Sequence, residues 1–262
     1  MIHMTINGMI VEAREDETIL KAANRYNIYI PTLCYHEALE TNAACRLCMV
    51  EIGMEEWGEW KDIVASCAYP VKDGLIVETD TEQIRTIRKH LMELLLARCP
   101  NSPTLKQIAN TMGVYSTRYR IEAKEQDFLN ANCILCGLCT RTCEVLGIYA
   151  ISTVNRGLDK EIAPPFRQAP KDCIGCLSCA KMCPTGAIKF EEKSNLRTIW
   201  NRSFKLIQCS ECGKGFITEE EAEYLKRYKN IDILSHPVCD QCKKNMTVKT
   251  FSSILSWEKT NE

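Results

Sequence analysis

The sequence predicts an α+β fold divided among several small modules, each organised around bound metal, and three observations carry that prediction. Seventeen of the 262 residues are Cys, and sixteen of them fall into separate groups of four. Two of those groups form an internal repeat offset by 40 residues. Alternating strand patterns dominate the first 80 residues, and helical periodicity follows them. A disulfide framework suits a short secreted chain, whereas this one has an odd Cys count and the length of two or three domains.

Taken in order, Met1 to Ile6 and Met9 to Ala13 alternate apolar and polar residues around Asn7-Gly8, a strong hairpin signal. Thr18 to Tyr26 reads as a helix with Ile19, Leu20, Ala22 and Ala23 on its apolar face. Met49 to Ile52, Ile63 to Ala65 and Leu75 to Glu78 are short strand candidates. From Thr81 to Ala97 runs the best helical pattern, with Ile84, Ile87, Leu91, Leu94 and Leu95 recurring at three and four residues and Pro100 just beyond. Thr218 followed by Glu221 is a capping box that opens a helix through Tyr228.

Composition excludes several classes. Hydrophobic residues make up 45% and aromatics 7% of the chain, enough for packed cores and contrary to disorder. The net charge of -1 gives no support to nucleic-acid binding. The first 17 residues have neither the cationic start nor the long apolar core of a signal peptide. The longest apolar candidate, Leu91 to Ala97, falls well short of the ~18 residues of a membrane span. The expectation is a soluble cytoplasmic protein, where thiols stay reduced and clustered Cys means metal. Residues 1–79 carry 13 acidic and 6 basic side chains, so the remainder is net basic, a division that suits docking between modules or partners.

Cys34-x10-Cys45-x2-Cys48-x18-Cys67 lies among strand and turn signals. A long loop with a compact Cys-x2-Cys pair and a distant fourth Cys can surround a two-iron rhombus, and zinc accepts four thiolates too. The middle groups are clearer. Cys-x2-Cys-x2-Cys-x3-Cys, twice, is the spacing for two [4Fe-4S] cubanes, in which the close triplet wraps one cube and the fourth Cys caps the other. Cys133, Cys136, Cys139 and Cys183 are then the ligands of one cluster, and Cys173, Cys176, Cys179 and Cys143 those of the second. CILCGLCTRTCEVLGIYAI and CIGCLSCAKMCPTGAI align as a duplicated half-domain. Pro184 follows the last ligand, whereas Glu144 stands after the first run. Cys209-x2-Cys212-x26-Cys239-x2-Cys242 is two Cys-x2-Cys knuckles flanking the capped helix. That pattern predicts one structural zinc ion, with a further iron–sulfur cluster as the competing occupant. The metal is expected to supply folding energy to a tail too small to build much core.

The segment from MTINGMIVEAREDE through IPTLCYH, ACRLCMVE and SCAYPVKDGLIVET resembles the N-terminal β-grasp [2Fe-2S] ferredoxin domain of the complex I large iron–sulfur subunit. NAD-linked hydrogenase diaphorase subunits and multimeric iron-only hydrogenases share that domain. FLNANCILCGLCTRTCEVLGIYAI with CIGCLSCAKMCPTGAI is similar to the bacterial-type dicluster domain that follows the β-grasp in hydrogenase and formate dehydrogenase subunits. The resemblance implies a β-grasp [2Fe-2S] ferredoxin domain at 1–79 and a helical linker at 80–125. It implies a dicluster [4Fe-4S] ferredoxin domain at 126–192, and the spacing of the last four Cys adds a zinc-ribbon-like tail at 193–262. Ala43-Ala44 stands where the family has a Gly, and GMEEWGEWKD lengthens the approach to Cys67. Between the domains the family keeps a His and three Cys for another [4Fe-4S] cluster. Here only His90, as a helix-surface or packing residue, and Cys99, as a small buried hydrophobe, stand near that place, so that cluster is expected to be absent.

No GxGxxG follows a strand and no P-loop occurs, so no substrate site or catalytic residue is nominated. The resemblance implies a non-catalytic electron-transfer subunit of an NAD(P)-linked complex in anaerobic metabolism. Its implied partners are a complex-I-like flavoprotein subunit, a thioredoxin-like [2Fe-2S] subunit and a terminal redox subunit. For that last partner the alternatives are a hydrogenase, a formate dehydrogenase or a second NADPH flavoprotein in an electron-bifurcating transhydrogenase. A reading from another class is an iron–sulfur redox sensor or scaffold with a zinc docking tail.

Overall fold

The computed structural model describes residues 1–121, 129 and 131–258, with side chains through residue 249. The expected boundary between linker and dicluster domain, at 125 and 126, and the last residues of the tail lie outside the described residues. The chain forms two compact units, one of residues 1–147, 151–163 and 178–188, the other of 148–150, 164–177 and 189–262.

The first unit opens with the expected hairpin, β1 (Ile2–Ile6) and β2 (Met9–Ala13). Asn7 and Gly8 both take positive φ, the conformation of the two-residue turn that matches strand twist. α1 (Ile19–Arg25) starts at Thr18, whose hydroxyl accepts from the Lys21 N–H. Its Ile19, Leu20, Ala22 and Ala23 are buried, as the pattern predicts. With β3 (Met49–Gly53), β4 (Asp62–Ala65) and β5 (Ile76–Glu78) the sheet takes the order β2-β1-β5-β3-β4, and β1 runs parallel to β5. The inserted GMEEWGEWKD stretch sits at the tip of the β3–β4 hairpin, where Trp57 and Trp60 meet edge to face at 5.1 Å. Cys48 and Cys67 flank the base of that hairpin, so the insertion leaves them in place.

α2 (Glu82–Arg98) is capped by Thr81, but its buried stripe differs from the predicted one. Ile84, Arg88, Met92, Leu96 and Ala97 are buried, whereas Leu94 is exposed. The cause is Arg88, whose Nε donates to the Leu47 carbonyl at 2.9 Å and whose Nη2 donates to the Met49 carbonyl at 2.8 Å. A buried guanidinium thus occupies a core position because it satisfies backbone that closes the Cys45–Cys48 loop. Arg88→Met keeps the volume and strands both carbonyls, and it is expected to cost about 2–4 kcal/mol. Urea unfolding of the cluster-loaded chain reads this directly, and an unchanged midpoint would refute the assignment.

α3 (Pro103–Thr111), which the sequence pattern does not announce, is capped by buried Ser102 and has Pro at its start. Cys99, fully buried, joins Leu33, Leu47, Met92, Leu96, Leu105, Ala109 and Ile134 in one hydrophobic cluster, and His90 is exposed, both as expected. α4 (Leu138–Val145), the short pair β6 (Ser152–Val154) and β7 (Glu161–Ala163), and α5 (Ser178–Lys181) complete the unit. α4 packs against α5.

In the second unit β8 (Phe190–Lys193), β9 (Leu196–Ile199), β10 (Arg202–Gln208) and β11 (Gly215–Thr218) form an antiparallel sheet in the order β11-β10-β9-β8. Ser194-Asn195 and Trp200-Asn201 are two-residue turns with positive φ throughout, the hairpin geometry that Asn favours. α6 (Glu219–Lys229) begins at Thr218 as the capping box predicts, and α7 (Asp240–Glu258) follows. Contrary to the expectation of a tail with little core, Ile199, Trp200, Phe204, Leu206, Ile217 and Ala222 are all buried. The four strands and α6, packed on β10 and β11, make that core. Among the described residues no helix is long and apolar enough to cross a membrane.

Candidate metal centres

The four cysteines of the first group are buried and sort into two close pairs. Cys48 and Cys67, held at the base of the β3–β4 hairpin, bring their sulfurs to 3.2 Å. The Ser66 hydroxyl, itself buried, donates to the Cys48 carbonyl at 2.8 Å and fixes that side. Cys34 and Cys45 form the other pair. The Cys45 N–H donates to the Cys34 sulfur at 3.3 Å, and the Leu33 N–H to the Cys45 sulfur at 3.4 Å. Within each pair one thiol is pulled down and the other pushed up. Its hydrogen bond with Cys34 draws Cys45 to about 6, while the same bond, reinforced by burial, drives Cys34 far upward. Cys48 falls to about 7 through its bond with Cys67, and Cys67 rises for the reciprocal reason. Each pair of buried sulfurs is a ready site for one cation. Two such pairs fit a two-iron rhombus, in which each iron takes two thiolates. Ala43 bends this loop with φ +48°, a conformation that carries no penalty in the Gly of the resembling family.

The repeated Cys runs share one backbone trace. Leu135 and Gly175, each two residues after the first Cys of its run, have φ of +54° and +68°. Gly137 and Leu177, two residues further on, have +72° and +62°. In both runs the residue two after the first Cys donates its N–H to that sulfur, Leu135 to Cys133 at 3.4 Å and Gly175 to Cys173 at 3.5 Å. Such N–H···S bonds favour the reduced, more negative state of an iron–sulfur cluster. Of the expected first ligand set, all four members belong to the first unit. Burial, with the nearby Cys133 and Cys183, pushes Cys136 up to about 11. Cys139 is driven higher still, by burial first and then by Cys136, Cys133, Cys179 and Cys183. The Ala187 N–H donates to the Cys183 sulfur at 3.3 Å, and Thr185 ties this segment to the Asn132 carbonyl at 2.6 Å. Crowded thiols, buried at Cys136 and Cys139 and half-buried at Cys133 and Cys183, with N–H donors aimed at the latter two sulfurs, are the donor chemistry a four-iron cluster requires. Of the second set, Cys173 and Cys176 lie in the second unit, and Cys143 and Cys179 in the first.

Cys209, Cys212, Cys239 and Cys242 place all four sulfurs within 4.8 Å of one another. Cys212 and Cys239 stand 3.8 Å apart, and the edge of a sulfur tetrahedron with bonds of about 2.3 Å is about 3.8 Å. The Cys239 N–H donates to the Cys209 sulfur at 3.3 Å and is the main reason that thiol falls to about 6. Hydrogen bonding with Cys239, then Cys212, lifts Cys242 to about 12. The knuckle containing Cys209 and Cys212 is the turn between β10 and β11.

Sequence reasoning missed the arginines around these loops. Arg141, inside the first repeat, donates to the Cys34 carbonyl at 2.8 Å, to Gly137 at 3.3 Å and to Cys136 at 3.5 Å, and also reaches the Glu40 carbonyl. Asn42 donates to the Cys136 carbonyl at 3.4 Å. The loop carrying Cys34 and the turn carrying Cys136 are therefore joined by one guanidinium, and both Cys sit in the same hydrophobic cluster. Arg98 adds a bond to the Cys133 carbonyl at 3.1 Å. Only the position of Arg141 within the Cys motif could have signalled such a role.

Residues 1–82 match the family described as a 2Fe-2S iron–sulfur cluster binding domain, and residues 169–189 match the 4Fe-4S binding domain. The G 2 subunit of NADH-quinone oxidoreductase from Rhizobium meliloti is 32% identical over 82% of this chain and 27% of its own length. The HndD subunit of the NADP-reducing hydrogenase of Solidesulfovibrio fructosivorans is 32% identical over 72% of this chain and 36% of its own. This chain is an iron–sulfur protein homologous to those subunits. The alpha subunit of the NADPH-Fe(3+) oxidoreductase of Geobacter sulfurreducens matches at 31% over 72% of the chain and 24% of its own length. A chain in the crystal structure of an NAD+-reducing [NiFe]-hydrogenase in the H2-reduced state superposes with TM-score 0.55 and 28% identity. That match covers 62% of this chain and 74% of the other. The chain spans about a quarter to a third of the length of the curated relatives it matches.

Proposed function

We propose that this chain is an electron-transfer subunit of a cytoplasmic, NAD(P)-linked, multi-subunit oxidoreductase, with no active site of its own. Its cofactors in this reading are one [2Fe-2S] cluster on Cys34, Cys45, Cys48 and Cys67, and a first [4Fe-4S] cluster on Cys133, Cys136, Cys139 and Cys183. A second [4Fe-4S] cluster takes Cys173, Cys176, Cys179 and Cys143, and one zinc ion takes Cys209, Cys212, Cys239 and Cys242 in a ribbon-like tail. When bound, the clusters supply reversible one-electron storage. The residues of the chain hold them buried, exclude water, and set potentials through N–H···S bonds and nearby guanidinium charge.

The observation that carries the reading is the shared support of two ligand loops. Arg141 binds the Cys34 and Cys136 carbonyls at once, so the two-iron site and the first four-iron site are fixed to each other by one rigid contact. A sensor needs one labile, accessible cluster, whereas a conductor needs neighbouring ones held at constant separation. The partners proposed are a flavoprotein subunit that exchanges electrons with NAD(P)H, a thioredoxin-like [2Fe-2S] subunit and a terminal redox subunit.

Anaerobically purified chain is expected to carry about 10 Fe and one Zn, with spectroscopic signals from one two-iron and two four-iron clusters. Finding fewer than two four-iron clusters would overturn the assignment. Rapid reduction by a NAD(P)H-linked flavoprotein supports conduction. Slow exchange, with cluster loss that changes protein or DNA binding, favours sensing.

A further inference from the structure

The turn that carries Cys173 and Cys176 is held by side chains of the C-terminal sheet, at every residue between Cys173 and Gly175. Arg202, at the start of β10, donates through Nη1 to the carbonyls of Cys173 at 2.8 Å and Pro170 at 3.0 Å, and also reaches the Lys171 carbonyl. Thr218, the last residue of β11 and the cap of α6, is fully buried, and its hydroxyl donates to the Ile174 carbonyl at 2.5 Å. Arg197 on β9 donates to the Gly175 carbonyl at 2.8 Å from a buried position. Three successive carbonyls of one ligand turn thus take their donors from three strands of the tail, and two of those donors are cations.

The hairpin that presents two of these donors also carries the C-terminal four-cysteine site. Arg202 and Thr218 lie on β10 and β11, and the turn between these strands is the Cys209–Cys212 knuckle, closed by the Cys209 N–H on the Lys214 carbonyl. The Ser210 N–H donates to the Pro237 carbonyl and so draws in the segment that bears Cys239. An ion bound by these four thiols fixes the register of β10 against β11. A slip in that register moves Thr218 relative to Arg202.

We propose that the C-terminal sheet is the positioning frame for the ligand turn of the second four-iron cluster, and that the metal at Cys209, Cys212, Cys239 and Cys242 holds this frame in register. This rests on the ligand sets given under the proposed function. Arg197, Arg202 and Thr218 are positioning residues in this role: they touch the ligand turn's backbone and the cluster only through it. Both guanidiniums are themselves ion-paired, Arg197 with Glu192 at 2.8 Å and Glu221 at 3.6 Å and Arg202 with Glu220 at 3.5 Å, so their action on the cluster runs through the backbone they hold.

The test uses the full chain, anaerobically purified with its clusters, in redox titrations followed by electron paramagnetic resonance. The four-iron signals are first assigned by losing them separately in Cys136→Ser and Cys176→Ser. If the unmutated chain holds only one four-iron cluster, the ligand assignment itself fails, whatever the variants do. With two present, Arg202→Gln and Thr218→Val are expected to lower the midpoint of the second cluster while the first and the two-iron cluster keep theirs. Thr218→Ser, which retains the hydroxyl, is expected to restore it. Cys242→Ser is expected to abolish zinc retention and to shorten the half-life of the second cluster in air by several-fold relative to the first. An unmoved second midpoint in Arg202→Gln and Thr218→Val would overturn the frame. Equal loss of both four-iron clusters in Cys242→Ser would overturn the role of the metal.

Discussion

Cys136→Ser is expected to remove about four of about ten irons per chain and one four-iron signal, whereas Cys99→Ala leaves the iron content unchanged. Both thiols are buried in the same hydrophobic cluster, so burial alone does not separate them. Their surroundings do. Cys136 lies in the repeated Cys spacing and is pushed up to about 11 by burial, with Cys133 and Cys183 close enough to add to the shift. Cys99 caps the end of α2 with its N–H on the Leu95 carbonyl, lies outside the repeated Cys spacing, and shares its cluster with Met92, Leu96 and Leu105 as well as Cys34, Cys45 and Cys136. Its truncation removes one sulfur from a packed core and is expected to cost about 1 kcal/mol of stability. Iron analysis and the unfolding midpoint of the two variants check this together. Iron loss in Cys99→Ala would show a ligand role for the seventeenth cysteine and would undo the inference that the family's His-ligated cluster is absent.

Each of the iron–sulfur centres proposed has the same kind of support. Arg88 donates to carbonyls that flank Cys48, and Arg141 to those of Cys34 and Cys136. Arg98 donates to the carbonyl of Cys133, Arg202 to that of Cys173, and Arg197 to that of Gly175. Clusters bound by four thiolates carry net negative charge into a dry interior, and a fixed guanidinium reduces that cost while it satisfies the backbone of the ligand loop. The arginine fork is rigid, so the same contact that supplies charge also fixes geometry.

These arginines mark the limit of what the chain discloses before folding. The cysteine groups, the hairpin at Asn7-Gly8, the starts of the helices at Thr18 and Thr81 and the cap at Thr218 are legible because each depends on local spacing, whereas the first sheet, in which β1 pairs with β5, is legible only through the family resemblance. Arg88 is not, since its partners lie about 40 positions away in the chain and a charged residue in a helix reads as surface. The stripe of α2 differs from its periodicity for that reason. The sheet of the second unit escapes the pattern because β8 is wholly exposed and β9 short, so neither produces a strong alternation. Asn195 and Asn201 are the local signals for its turns. Nothing in the spacing of Cys209 and Cys212 announces that their hairpin reaches back to the turn holding Cys173.

Gly175→Ala is the single substitution that loads this arrangement most heavily. Gly175 has φ +68°, a conformation that costs a residue with a Cβ about 1–2 kcal/mol. The added methyl would also lie 2.8 Å from two ring carbons of Phe204 and 3.0 Å from the Thr218 methyl. Phe204 cannot swing away easily, because it is buried and Arg202 stacks over its ring at 4.7 Å. Overpacking of this kind costs about 1–3 kcal/mol. Together the two effects predict a loss of about 2–5 kcal/mol, read as a fall in the urea or thermal midpoint of the second unit. Leu135 shows that the repeat tolerates the backbone conformation itself with a side chain present, so the collision with Phe204 is the part specific to this turn. A double-mutant cycle separates them. Phe204→Leu opens space beside residue 175, and Gly175→Ala in that background is expected to cost less than in the wild type by about 1–2 kcal/mol. The conformational part remains in both. If Gly175→Ala costs the same with Leu at 204 as with Phe, the close packing of the sheet on the ligand turn is not what holds it.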